Sequence, residues 1–193
     1  PQYLTSVNGT LFFSANDGTN GIELWRSDGT AAGTVMVKDI NPGAFGSSPR
    51  GFTVFNGKLY FSAQDGANGV ELWQTDGTTA GTVMVKDING AGSSSPNGFT
   101  ALNGTLYYSA YDFTNGTELW KTDGTAAGTI RVTRISAGAT SSILNGFGVL
   151  NGALYFSGTD GAGGFELWKT DGTAAGTEMV ADIFAGPGGS DPR

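Results

Sequence analysis

Twelve of the 17 acidic residues occupy three positions that recur four times: Asp17, Glu23 and Asp28; Asp65, Glu71 and Asp76; Asp112, Glu118 and Asp123; Asp160, Glu166 and Asp171. In "ELWRSDGTAAGT", Glu23 to Thr34, an acid, an indole and a second acid stand close together in a glycine-rich phrase. Carboxylates in that setting have two chemistries open to them. As a pair across one substrate they act as general acid and base, which requires that their surroundings drive their pKa values apart. As oxygen donors they bind calcium, which takes roughly six to eight such ligands. The chemistry is narrowed further, because the chain has no histidine and no cysteine. That removes the commonest general base, the commonest transition-metal ligand, thiolate nucleophiles and disulfides.

Repetition argues against acid-base work. Asp28, Asp76, Asp123 and Asp171 are each followed by Gly-Thr, and equivalent acids in equivalent settings have no cause to diverge in pKa. An aspartate heading a tight turn accepts a hydrogen bond from the backbone two residues on, so these four are predicted to hold turns. Calcium ligands are sought at Asp17 and Asn20, Asp65 and Asn68, and Asp112 and Asn115, although the spacing is not that of an EF-hand and the fourth repeat has Gly163 at the Asn position. Trp25, Trp73, Trp120 and Trp168 are predicted to fill a core rather than to offer an exposed stacking platform for sugars. Glu23, Glu71, Glu118 and Glu166 share the face of those indoles, so each must meet backbone amides or a Lys or Arg. The acids that fall outside recurring positions are Glu178 and Asp191.

The elements that position these residues follow from the period. The stretch "GFTVFNGKLYFSAQDGANGVELWQTDGTTAGTVMVKDI", Gly51 to Ile88, parses into four short apolar runs separated by turn signals. The first two runs meet at Asn56-Gly57, repeated as Asn8-Gly9, Asn103-Gly104 and Asn151-Gly152. Asn-Gly is the strongest signal for a two-residue hairpin. It also explains the glycosylation sequons at Asn8 and Asn103, and the same dipeptide recurs in the sequon at Asn115. No window sustains helical periodicity. The runs "LYFSA" and "TVMV" are apolar on both faces, so both faces of each sheet are expected to be covered. Four strands in each repeat of about 48 residues give an all-β fold, a β-propeller of four-stranded antiparallel blades. The expected blades are residues 1–48, 49–95, 96–143 and 144–193 of a single repeat domain. "PQYLTSVNG" at the start aligns with "PRGFTVFNG" at Pro49, and the chain stops at "DPR", where that phrase would begin again. Three assemblies satisfy this phase: a four-bladed ring, a homodimer closing an eight-bladed ring, and an excerpt from a longer array. A solenoid or β-sandwich is the lesser alternative.

Glu-Leu-Trp-x-x-Asp-Gly-Thr stands four times in the chain, beginning at Glu23, Glu71, Glu118 and Glu166. On that signature the chain resembles the ELWxxDGT repeat family of bacterial proteins. The resemblance implies large secreted or surface-attached proteins of tandem, propeller-like repeats without assigned enzymatic activity, and it transfers no catalytic residue. The third repeat departs most. Arg134 replaces Asp39, Asp87 and Asp182, and Arg131 replaces Met36, Met84 and Met179.

Those departures are the candidate ligand-binding residues: Tyr111 and Phe113 in the loop "YDFTNG", with Arg131 and Arg134 as a basic patch on an exposed edge strand. Nucleic acid is excluded as a partner by the net charge of −7 and the lack of a basic cluster. No run approaches about 18 apolar residues, so no helical membrane span is expected. The opening "PQYLTS" has no charged-then-apolar leader, so the chain is expected to be a mature or excised piece. The functional expectation is a non-enzymatic, extracellular or cell-surface propeller module, acting as a scaffold or binding a glycan or surface protein, with no cofactor other than calcium. A propeller-type glycoside hydrolase and a calcium-binding structural repeat are the alternatives.

Overall fold

The structure, a computed structural model, describes residues 1–90, 92–136, 141–142, 145–161, 164–186, 188–190 and 192. Each repeat supplies four strands. The first gives β1 (Gln2–Val7), β2 (Thr10–Asn16), β3 (Ile22–Ser27) and β4 (Val35–Lys38). The second gives β5 (Arg50–Phe55), β6 (Lys58–Gln64), β7 (Val70–Thr75) and β8 (Val83–Lys86). The third gives β9 (Asn97–Leu102), β10 (Thr105–Asp112), β11 (Gly116–Thr122) and β12 (Ile130–Arg131), and the fourth β13 (Asn145–Leu150), β14 (Ala153–Gly158), β15 (Glu166–Thr170) and β16 (Glu178–Ala181). Within each repeat the strands pair in chain order into one antiparallel four-stranded sheet. The protein is therefore all-β, built of four such sheets, an organisation consistent with a propeller-like arrangement.

Local chemistry sets the register. At the first hairpin of every repeat the Asn and the Gly both have positive φ, 49° and 81° at Asn8-Gly9 and 48° and 73° at Asn56-Gly57. A type I′ turn requires that, and its twist matches that of the flanking strands. The turn brings Val7 opposite Thr10 and Phe55 opposite Lys58. The next hairpin then places Trp25 opposite Phe13, Trp73 opposite Phe61, Trp120 opposite Tyr108 and Trp168 opposite Phe156. These cross-strand aromatic pairs are the centre of each sheet.

Two compact units emerge, Pro1–Ser95 and Pro96–Arg193, each of two repeats. In Pro1–Ser95, Val7, Phe12, Leu24, Val37 and Ile40 of the first repeat form one core with Leu59, Phe61, Ala63 and Trp73 of the second. In Pro96–Arg193, Leu102, Tyr107, Leu119 and Val132 do the same with Leu154, Phe156 and Trp168. Each sheet thus has a trailing face, bearing the Leu of Glu-Leu-Trp, and a leading face, bearing the Trp. Within each unit the trailing face of the first sheet packs on the leading face of the second, and each buried Leu or Phe contributes roughly 2 kcal/mol. Polar contacts flank this packing: Asn8 Nδ2 donates to Gly57 O at 3.0 Å, Lys38 Nζ to Thr82 O at 2.9 Å, and Lys121 Nζ to Gly172 O at 2.8 Å.

Candidate functional site

The four glutamates of Glu-Leu-Trp are fully buried, so each must find donors. Glu23 finds them in the crossover between sheets, where Ile40 N donates to Oε2 at 3.2 Å, Asn41 N and Ser47 N to Oε1 at 3.1 and 2.8 Å, and Ser47 Oγ to Oε2 at 2.5 Å. Glu71 accepts from Ile88 N at 3.3 Å, Ser94 N at 2.8 Å and Ser94 Oγ at 2.5 Å. Glu118 accepts from Ile135 N and Ser142 Oγ, and Glu166 from Ile183 N, Ser190 N and Ser190 Oγ. One carboxylate clasps the end of the fourth strand and the return of the chain together. The serines Ser47, Ser94, Ser142 and Ser190 were missed by sequence reasoning. Their signal is spacing, since each follows its glutamate by 23 or 24 residues.

Electrostatics differ among the four clasps. Burial pushes the Glu71 carboxyl up to about 7 against the opposing Ser94 hydroxyl and amide, and it raises Glu23 and Glu118 as well. Glu166 is instead held below its usual value, foremost by the Ser190 hydroxyl. A folded pKa above the unfolded 4.5 means that the native state binds the Glu71 proton more tightly. That stabilisation is complete below about pH 4.5 and is lost as pH rises through about 7. The thermal midpoint is therefore expected to fall between about pH 5 and pH 8, and Glu71→Gln, which cannot ionise, to reduce the slope. Melting both proteins across this range checks it, and an unchanged slope in Glu71→Gln would assign the dependence elsewhere.

The acids of Asp-Gly-Thr stand on the surface at the β3–β4 turn and its equivalents. Asp28 Oδ1 accepts from Thr30 N at 2.9 Å and Thr30 Oγ1 at 2.7 Å, Thr30 Oγ1 then accepts from Gly33 N at 2.9 Å, and Thr34 Oγ1 donates to Thr30 O at 2.7 Å. The same bonds form about Asp76, Asp123 and Asp171. The Thr30 amide and hydroxyl hold the Asp28 carboxyl below its usual value. This network engages the residues of "DGTxxGT" in turn.

In the β2–β3 loop, Asp17 Oδ1 accepts from Thr19 N and Asn20 N, both at 2.8 Å, while Asn20 Nδ2 donates to Oδ2 at 2.8 Å. Asp65 with Asn68 and Asp112 with Asn115 repeat the pattern. Donors converge on each carboxylate, and the Asn turns its NH2 inward, which is the wrong polarity for a cation cage. Among the described residues no three acidic side chains come together to hold a metal. Gly163 and Asp191 lie outside the described residues.

Tyr111 and Phe113 do come together, edge to face with ring centroids 5.6 Å apart, and Phe113 is exposed. Asp112 lies between them in sequence and pairs with Arg131 at 3.2 Å. Arg134 Nε donates to Ser136 O at 3.1 Å. The third-repeat arginines are thus tied to local acceptors. Glu178 pairs with Lys169 at 3.1 Å on the surface.

No family model and no curated protein matches the chain. Solved structures do. A prolyl endopeptidase studied for inter-domain dynamics in catalysis is 13% identical with TM-score 0.55, over 89% of this chain and 24% of that one. A puromycin hydrolase S511A mutant complexed with PGG is 15% identical with TM-score 0.56, over 89% of this chain and 27% of that one. The Bacteroides ovatus xyloglucan PUL GH43B chain is 16% identical over 92% of this chain and 40% of that one, with a TM-score of 0.46. The chain spans less than half of each of these. These likenesses overturn the expectation of a non-enzymatic scaffold or binding module that is not an enzyme. The sheets are shared with hydrolases, so strict repetition of structural residues is no ground for excluding catalysis.

Proposed function

We propose that the chain is the propeller-like unit of a hydrolase of peptide-like amide bonds, its four sheets standing as successive blades that admit and orient substrate. The observation that carries this reading is the shared fold with a prolyl endopeptidase and a puromycin hydrolase over 89% of the chain. The chemistry of the described residues decides which part of the task falls to them. The buried glutamates are spent on the crossover and the turn aspartates on their own loops, so the contribution of these residues is to hold substrate rather than to cleave it. Tyr111 and Phe113 suit that role, since the exposed Phe113 ring, set edge to face on the half-buried Tyr111 beside the Asp112–Arg131 ion pair, offers a surface for a ring with a polar handle next to it. Membership of the ELWxxDGT repeat family and an extracellular or surface location are part of the same proposal, supported by the signature in four registers.

The test is binding of prolyl peptide amides to the 193-residue chain, followed by titration calorimetry, with nitrophenyl pentosides as the contrasting class. Saturable binding of the amides is expected, and Phe113→Ala is expected to weaken it about tenfold, the scale of one aromatic contact. Absence of amide binding would sink the reading, and binding of the pentosides alone would move it to glycosides.

A further inference from the structure

Because the four repeats place like residues on like faces, burial should recur with the period. It does so except on two faces. On the leading faces, Leu59, Leu106 and Leu154 are fully buried, as are Phe61, Tyr108 and Phe156. Their first-repeat counterpart Leu11 is only half-buried, and Leu4, at the position of Phe52, is 62% exposed. A cleft of about 210 Å³ opens there between Leu4, Leu11, Phe13 and Thr34. On the trailing faces, Val7, Phe55 and Leu102 are buried, whereas Leu150 is 58% exposed. Val37, Val85 and Val132 are buried and Val180 is exposed; Ile40 is buried and Ile183 is 61% exposed.

These two faces are the halves of an interface already present twice, the first sheet's trailing face on the second's leading face and the third's on the fourth's. We propose that the trailing face of the fourth sheet docks on the leading face of the first sheet of a second copy, and reciprocally, so that two chains join head to tail about a two-fold axis. Leu150, Leu167 and Val180 then take the places that Val7, Leu24 and Val37 hold against Leu59, Phe61 and Trp73, with Leu4, Leu11 and Trp25, over the buried Phe13, as the receiving surface. Polar groups fit the same register. Asn8 donates to Gly57 O and Lys121 to Gly172 O, and their counterparts Asn151 and Lys169 meet Gly9 and Gly29 of the second copy. Two further contacts, Lys38 to Thr82 O and Thr79 to Val37 O, have Ala181 and Ala31 as counterparts, so no cation is left buried without its acceptor. A leading-on-trailing contact is heterologous, and two copies satisfy all four faces only by closing on each other.

This inference stands on the repeated sheet contact and not on the hydrolase reading, so either can fail alone. Light scattering of the 193-residue chain is expected to give twice the mass of one chain. Leu4→Glu and Ile183→Glu, both at highly exposed positions, are each expected to restore the single-chain mass with an unchanged far-UV dichroism spectrum. An equimolar mixture of the two variants retains one unaltered junction, Ile183 of the first variant chain against Leu4 of the other, and is expected to recover the two-chain species. A wild-type mass of one chain, or growth into open filaments, overturns the proposal. So does a two-chain mass that survives either variant, because pairing through one face alone would behave that way.

Discussion

Glu71→Ala is expected to cost the Pro1–Ser95 unit about 4 kcal/mol, the scale of removing one member of a buried hydrogen-bonded network. Three bonds are lost at once, from Ile88 N, Ser94 N and Ser94 Oγ, and the Ser94 amide and hydroxyl are left with Val70 O at 3.0 and 3.4 Å. Ser94 is itself fully buried, so water cannot replace the carboxylate without opening the crossover. Relief from desolvating a carboxylate offsets part of this, and more so because burial raises the group to about 7. The lost bonds nevertheless dominate, since a hydrogen bond to a charged group contributes about 1.5–3 kcal/mol. Asp76→Ala provides the contrast. It also breaks bonds to Thr78 N and Thr78 Oγ1, but the turn is exposed and water takes over, so about 1 kcal/mol is expected. At about 2–4 °C per kcal/mol for a chain of this size, thermal melts separate the two clearly. Equal shifts would show that the clasp is no more than another surface turn.

This contrast marks what the sequence made legible. Turn chemistry is local, so Asn8-Gly9 and Asp28-Gly29 could be read from adjacent residues, and the strands between them followed from their apolar runs. The need of Glu71 for partners was equally legible, because a carboxylate on the face of a core indole must be paired. Its partner Ser94 was not, since "GSSSP" reads as linker composition and the contact spans 23 residues. Arg131 illustrates the same limit. It broke the repeat and was read as part of an open basic patch, but Asp112, placed within reach by the β10–β12 sheet, takes its charge. Nor could sequence distinguish Leu150 from Leu102 or Ile183 from Ile40, because exposure there depends on what faces each sheet and not on the residue. The functional expectation failed for a related reason. Repetition shows which residues the fold consumes, and it is silent on the chemistry that the same sheets accompany in hydrolases.

Gly46→Ala is the second substitution expected to have a large effect, about 3 kcal/mol or more, and it tests whether the crossover is a clamp or a tether. Gly46 forms a parallel bridge with Ile22, and Ser48 N donates to Ile22 O at 2.9 Å just beyond it. Its φ is +66°, where an L side chain is strained by about 1–2 kcal/mol. A Cβ there would also overlap the backbone nitrogen and oxygen of Ile22, atoms that cannot rotate away, and forcing such a site open costs about 1–3 kcal/mol more. Gly9→Ala isolates the first effect, because Gly9 has φ +81° but open space around it, so about 1–2 kcal/mol is expected. The difference between the two variants is therefore the price of separating the crossover from β3. Separation would also draw Ser47 away from Glu23, whose Oε1 and Oε2 it occupies. Amide exchange at Ser47 and Ser48 is accordingly expected to accelerate in Gly46→Ala and to stay slow in Gly9→Ala. If the two variants melt together and exchange alike, the crossover is a tether, and Glu23 alone holds the return of the chain.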